Sequence, residues 1–394
     1  MPPQMMQLSI SGQGAGLPSG AVLTFPVDHR QQFEERGYSG AVTVQKPGGG
    51  TESVMLTLSP ADVHSPEEMP NFLAGYSAGP YCADMASPII LVDQVSDEYR
   101  THTDHAFNRV ECKTSQQGAV AEVDPETTLT PYRTIVRAAA SFIPNRTEQV
   151  GTKAYRPRQA AGKRVARVLS NDREIDVFGP NGVIGNASNF DADLQDILPP
   201  LERWGDLEGK NPGANADPIK DLDYMITKSY QEPTDIWMNR QVANVFLEFP
   251  SVMDRLKARY GDDSQARLDA VRAPGKRIVT FEVVGFPPIH VCTAKIKWTL
   301  DATPTYILGN NVVLTVRPEG ANGELVTSMV DDEEIATTVT FRLREANGTG
   351  YNTREYFVDH RGHLGGTMIV ASQEDVAVVI SDKVGGFIGD VLQA

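Results

Sequence analysis

The sequence predicts an α+β architecture from three observations: a β-rich start, a helix-strand-helix-helix unit spanning 217–261 behind a long helical run at 155–178, and a C-terminal third of short β-type runs divided by glycines. The 394 residues are 40% hydrophobic and 22% charged, which is ordinary globular composition, and the length suggests about two or three domains. Lys and Arg number 36 against 51 Asp and Glu, a formal net charge of −15. That balance excludes a strongly basic nucleic-acid binder of the histone kind. No run approaches the roughly 18 apolar residues of a membrane span, and the start, Met1-Pro2-Pro3-Gln4, lacks the regions of a signal peptide. The expectation is a protein made in a cytoplasm and not membrane-bound. Its three cysteines, Cys82, Cys112 and Cys292, form neither a disulfide framework nor a zinc pattern, and reduced thiols are expected.

In order along the chain, Ala21 to Phe25, Ala41 to Gln45 and Ser53 to Leu58 read as strands of a small antiparallel module within 1–65. Prolines at 66, 70, 80 and 88 block helices and predict an extended arm with little core of its own. Tyr99 to Ile135 is a long polar stretch, too long for an ordinary connection. Ala161, Val165 and Val168 recur at helical spacing before Pro180. The first half of that helix carries Arg156, Arg158, Lys163, Arg164 and Arg167, the sign that a helix N-terminus disfavours.

Asp217-Pro218 is an N-cap followed by proline at the first helical position, with Ile219, Leu222, Met225 and Ile226 forming one apolar face. Ile236-Trp237-Met238 reads as a short buried strand. Asn239 caps a helix carrying Val242, Val245, Phe246 and Phe249 and stopped by Pro250; Ser251 caps the next, with Val252, Leu256 and Tyr260 on one face and Gly261 closing it. From Ile278 onward the runs Ile278 to Val284, Val312 to Val316, Thr337 to Leu343, Glu355 to Val358, Thr367 to Val370 and Val376 to Ile380 predict an antiparallel sheet. No internal repeat is visible.

Patterns that carry chemistry are few. Gly75-Tyr76-Ser77-Ala78-Gly79 matches a nucleophile elbow, but too few residues precede it for the required strand, and Pro80 and Pro88 obstruct the following helix. A serine hydrolase using Ser77 is therefore an alternative on one motif alone. No phosphate-binding loop with the required glycine and lysine spacing exists. His102, Asp104, His105 and Cys112, and His360 with His363, lack the paired spacing of zinc sites. Asp331-Asp332-Glu333-Glu334 reads as a solvated turn. No catalytic residue, cofactor or metal is expected.

Several stretches in a fixed order carry a resemblance to a known family: Tyr81-Cys82-Ala83-Asp84-Met85-Ala86-Ser87-Pro88-Ile89-Ile90-Leu91-Val92 with Ser96-Asp97-Glu98-Tyr99; Arg173-Glu174 closing the long helix; Asp217-Pro218-Ile219, Pro233 to Asn239, Val242-Ala243 and Phe249-Pro250-Ser251-Val252; then Thr353-Arg354-Glu355-Tyr356, Gly365-Gly366, Asp375-Val376-Ala377-Val378 and Gly385-Gly386-Phe387-Ile388. From about residue 70 to 394 the chain resembles the major capsid proteins of tailed double-stranded DNA bacteriophages, of the Hong Kong 97 type. The module before residue 65 and the acidic turn at 331–334 depart from that pattern.

The resemblance implies a Hong Kong 97-like α+β fold with an N-terminal β extension (1–65), an N-arm (66–98), an extended loop (99–136), a peripheral domain (137–204 and 301–380) with its spine helix at about 155–178, an axial domain (205–300) and a C-terminal tail (381–394). It implies a structural protein of the virion, assembled in the host cytoplasm, that forms homo-hexamers and homo-pentamers of an icosahedral shell. Expected partners are portal, scaffold and decoration proteins, with packaged double-stranded DNA held non-specifically. Under this reading Arg156, Arg158, Lys163, Arg164 and Arg167 face DNA or a neighbouring subunit, and Arg109, Glu111, Lys113, Gln116 and Glu122 belong to a loop between subunits. An encapsulin-type nanocompartment shell is the alternative within the same fold.

Overall fold

The computed structural model describes the strands at 5–9, 22–26, 38–45 and 51–58, then residues 81–103, 127–149, 157–207, 210–264, 269, 272, 278–299, 301–318, 328–329, 335–344, 352–358 and 365–393. Two compact units divide the chain, one comprising Met1–Tyr76, Ala138–Ala166 and Thr349–Ala371, the other Ser77–Arg137, Arg167–Gly348 and Ser372–Ala394.

In the first unit, Met5–Ser9, Val22–Pro26, Tyr38–Gln45 and Thr51–Leu58 form a four-stranded antiparallel meander, with Tyr38 opposite Leu58 and Met5 opposite Pro26. The expected β module is thus present with one more strand. Met5–Ser9 was illegible because Met-Met-Gln-Leu-Ser contains no β-branched or aromatic residue. The same unit holds Asn352–Val358 and the 366–371 part of the long strand Gly366–Val379, a strand that pairs with both Asn352–Val358 and Ile135–Pro144. Gly366 allows that packing: a Cβ there would lie 2.2 Å from the Ile143 carbonyl oxygen and against the Phe142 ring.

In the second unit a six-stranded mixed sheet runs Ile278–Phe281, Ile289–Cys292, Asp235–Asn239, Val312–Thr315, Gly386–Gly389, Gln195–Ile197. Asp235–Asn239 is parallel to Ile289–Cys292 and antiparallel to Val312–Thr315. The helices Pro218–Lys228, Arg240–Phe246 and Pro250–Tyr260 share its core, in which Leu222, Met225, Trp237, Phe246 and Val252 are fully enclosed. The caps explain the helix starts: the Asp217 carboxylate accepts from the Lys220 amide, and the Asn239 side chain from Val242 at 2.8 Å. Ser251 is not a cap. The third helix begins at Pro250 with Phe249 before it, since proline suits a first helical turn that needs no amide donor. For the same reason Pro250 opens that helix and does not stop the preceding one, which ends at Phe246.

Two further expectations need correction. The late strands do not form one antiparallel sheet: Val312–Thr315 and Gly386–Gly389 enter the six-stranded sheet, whereas Thr338–Leu343 lies between Ile89–Val92, parallel to it, and the long strand, antiparallel. Strands from 235–239, 278–281 and 289–292 thus share their sheet with 195–197, 312–315 and 386–389. Gly386–Gly389 is buried along its length, and Leu392–Gln393 pairs with Gly205–Asp206. Gly385 turns the chain into that strand at φ +84, where a Cβ would meet the Leu314 carbonyl oxygen at 2.4 Å. Finally, Thr367 to Val370 and Val376 to Val379 are not two strands but parts of Gly366–Val379, and Ile380 follows its end. The polar interval between them hid the continuity, because Gln373 and Asp375 are buried despite their polarity.

One polar cluster lies inside the central sheet. The Arg317 guanidinium donates to both oxygens of the fully buried Asp235 at 2.6 and 2.5 Å, and His290 Nε2 meets Asp235 Oδ1 at 2.7 Å. His290 stacks on Trp237, whose indole N–H donates to Thr315 Oγ1 at 2.8 Å. Burial pushes the Asp235 carboxyl up, but the His290 hydrogen bond and the Arg317 charge outweigh it and hold it below the usual carboxylate range.

Candidate interaction surface

The long helix, Pro157–Phe178, runs as expected from its sequence, with proline at its first position. Ala161, Val165, Ala166 and Leu169 are buried, whereas Lys163, Arg164, Arg167 and Val168 are exposed. Val168 is thus off the apolar face, and Leu169 takes the place expected of it. At spacings of three and four, Lys163, Arg164 and Arg167 share one basic stripe. Arg158 is instead half-buried and directed to Glu355 at 3.4 Å. Arg156 lies outside the described residues.

The described part of the expected arm, from residue 81, is tied into the rest of the chain. Residues 59–80 are outside the described residues, but Ala83–Ala86 forms a helical turn with Cys82, Ala83 and Ala86 buried. Its amide donors meet the Glu174 carboxylate: Cys82 N–H reaches both oxygens at 3.1 and 2.9 Å, and Ala83 N–H one of them at 2.9 Å. Burial pushes the Glu174 carboxyl up to about 8, against these two backbone donors, which lower it. Ile89–Val92 then joins the second sheet, and Ser87 Oγ meets Thr340 Oγ1 at 2.8 Å. The prolines do not keep helix out of this stretch, since Ala83–Ala86 forms a turn whose cap is a carboxylate 92 positions away, and 82–92 lies on the rest of the chain as an arm with little core of its own does.

Beside this junction, a charge network ties together residues remote in sequence. Asp375, 2% exposed at its side chain, pairs with Arg137, with Arg173 at 3.1 Å and with Arg342 at 3.6 Å. Arg137 also pairs with Asp176 and with Asp172 at 3.1 Å, and Arg173 reaches Asp84 at 2.7 Å. The arrangement contains no nucleophile beside a base; its chemistry is to hold the arm, helix end and sheet in one geometry.

The ends of the polar stretch form a hairpin, Ser96–His102 with Thr127–Arg133, in register from Ser96 opposite Arg133 to His102 opposite Thr127. Tyr99 and Tyr132 anchor it on Phe341, with Tyr132 stacked at 4.2 Å. Leu129, Ile135 and Val136 nevertheless remain exposed, at 58%, 56% and 63%. An open cleft of 630 Å³ in this unit is lined by Ile135, Arg137, Ile175, Val183, Trp298 and Val376 among others.

Of the residues singled out from sequence, Arg109, Glu111, Lys113, Gln116 and Glu122 lie outside the described residues, as do Ser77, Asp104, His105, Cys112, His360, His363 and 331–334. His102 is buried, with its amide donating to the Ile380 carbonyl at 2.9 Å. The sequence reading missed Glu174 as a cap and the grouping of Arg137, Arg173 and Asp375; the one signal was the Arg173-Glu174 pair near the end of the long helix. Among the described residues no helix is long and apolar enough to cross a membrane.

No family model matches the sequence, and no curated protein does. Solved structures do. A phage-related protein from Bordetella bronchiseptica is similar at a TM-score of 0.56 and 16% identity, over 83% of this chain and 97% of that one. The procapsid of satellite phage P4 is similar at 0.45 and 9% identity, over 83% and 90%, and an encapsulin complex from Synechococcus elongatus at 0.40 and 10%, over 78% and 87%. The chain is thus an α+β protein with the Hong Kong 97-type capsid fold.

Proposed function

We propose that this chain is the major capsid protein of a tailed-phage-type head, many copies of which close into hexamers and pentamers of an icosahedral shell around double-stranded DNA. The observation that carries this reading is the fold likeness over 97% of a phage-related protein, joined to the ordered motifs from 70 to 394. The exposed apolar residues of the hairpin and cleft support it, because a subunit destined for a shell exposes what its neighbours cover. Its work is mechanical, and no reaction is assigned. The partners are copies of itself, with portal, scaffold and decoration proteins, and the virion is its location. In this arrangement 99–136 reaches the adjacent subunit and 205–300 forms the capsomer centre.

Electron microscopy of the purified recombinant protein, with absorbance read at the nucleic-acid and protein maxima, tests the reading. Uniform closed shells or capsomers are expected. A monomer that persists across salt and concentration, with scaffold supplied, overturns it, and shells holding protein cargo without nucleic acid identify a nanocompartment instead. Deleting 116–122 is expected to leave a subunit with unchanged circular dichroism that forms no closed shells; normal shells from that variant refute the role of the loop.

The stripe of Lys163, Arg164 and Arg167 on a chain of net charge −15 suits an inner surface facing packaged phosphate. Reversing Arg164 and Arg167 to Glu is expected to shorten the packaged genome. Unchanged genome length with altered capsomer assembly would assign the stripe to intersubunit pairing.

A further inference from the structure

Three elements of the second unit bring Cys82, Glu174 and Cys292 together. Cys82 precedes the helical turn of the arm, Glu174 lies near the end of the long helix, and Cys292 ends a strand of the central sheet. The two sulfurs and a carboxylate oxygen lie within 4.8 Å of one another, and all three residues are buried. We propose that this cluster is a binding site for a thiophilic divalent cation of the zinc class.

The donor set fits that class. Two sulfurs and one oxygen are ligands that zinc accepts in tetrahedral sites, whereas magnesium and calcium require oxygen. Ligand atoms around a tetrahedral zinc with Zn–S bonds of ~2.3 Å lie ~3.8 Å apart, so donor atoms within 4.8 Å of one another need a contraction of at most about 1 Å, within reach of rotation about the two cysteine side-chain bonds. Glu174 is already oriented. Its oxygens accept from the Cys82 and Ala83 amides, which occupies part of the carboxylate's roughly four acceptor sites and leaves room for a cation. Such outer hydrogen bonds are what fix a ligating carboxylate in known metal sites. The surroundings are the apolar core, where three neutral groups contribute little, whereas a cation would let them ionise together and would fasten arm, helix and sheet at one point. A three-ligand set leaves one position of a tetrahedral cation to a non-protein ligand. The inference does not depend on the shell reading.

The test uses the untagged full-length protein, refolded with Co²⁺ or Zn²⁺ and freed of excess metal. Expected are close to one ion per chain by mass spectrometry, as a structural site requires, and the near-ultraviolet charge-transfer absorption of cobalt bound to thiolate. That absorption is expected to vanish in Cys82→Ser and in Cys292→Ser and to persist in Cys112→Ser. Glu174→Gln should keep the absorption but weaken cobalt binding by at least the roughly 10–100-fold that loss of an outer-shell partner costs. Wild-type protein that retains no metal and shows no cobalt–thiolate absorption overturns the proposal without any variant. So does a thiol titration that finds Cys82 and Cys292 joined as a disulfide, or an absorption that survives both serine substitutions.

Discussion

Replacing Asp235 by alanine is expected to lower the stability of the folded subunit by about 3–5 kcal/mol, the range for removing one partner of a buried ion pair. The carboxylate is fully buried, and both of its oxygens accept from Arg317. Its loss leaves the Arg317 guanidinium, itself buried, without a counter-charge among the described residues, and His290 Nε2 without its acceptor. Urea unfolding of the unassembled subunit measures this; a loss below about 1 kcal/mol, the worth of an exposed pair, would show that the cluster is solvated. The pH dependence follows in sign. The carboxyl is held below its ordinary value, so its contribution is complete above the unfolded carboxylate pKa of about 3.9 and is lost as pH falls through the lower folded value. The wild type is therefore expected to lose stability more steeply on acidification below about pH 4 than Asp235→Asn, which already lacks the titrating group.

Replacing Asp375 by alanine is the second large effect, expected at about 3 kcal/mol. Arg137, Arg173 and Arg342 converge on this carboxylate. Its removal would leave three cations sharing Asp84, Asp172 and Asp176, whose side chains are 64%, 55% and 39% exposed. Those counter-charges stand partly in water and attract less strongly than a buried one, which softens the loss without cancelling it. Asp375→Asn keeps the size and some hydrogen bonding, and is expected to recover less than half of the lost stability because the charge is what the arginines need. Unfolding midpoints of the two variants, compared with Asp172→Ala as an exposed control expected within about 1 kcal/mol of wild type, decide the matter.

Much of the helical architecture is legible in the residues. Asp217 and Asn239 cap the helices they were expected to cap, and Ile219, Leu222, Met225, Val242, Val245, Phe246, Val252 and Leu256 face the core at the expected spacing. Ile236-Trp237-Met238 is a buried strand because an unbroken apolar run bounded by turn residues has no solvent face. Strand pairing was less legible. Nothing in Val312 to Val316 distinguishes it from Thr337 to Leu343, yet the first joins the central sheet and the second the other, since partner choice depends on where the chain returns and not on local pattern.

The interaction surface divides in the same way. The basic stripe was visible as charges in a helical run, but the withdrawal of Arg158 toward Glu355 was not. The polar run at 372–375 read as a break in a strand, and became a strand interior because Arg137, 238 positions earlier, supplies charge to Asp375. Periodicity, capping and the order of the motifs act over a few residues, so the α+β class and the likeness to a shell protein could be read from them. Which carboxylate meets which guanidinium, and that Cys82, Glu174 and Cys292 converge, arises from packing contacts between segments 33 to 238 positions apart. Such contacts leave no local pattern, because an isolated buried Asp, Glu or Cys carries no mark of the partner that makes its burial tolerable.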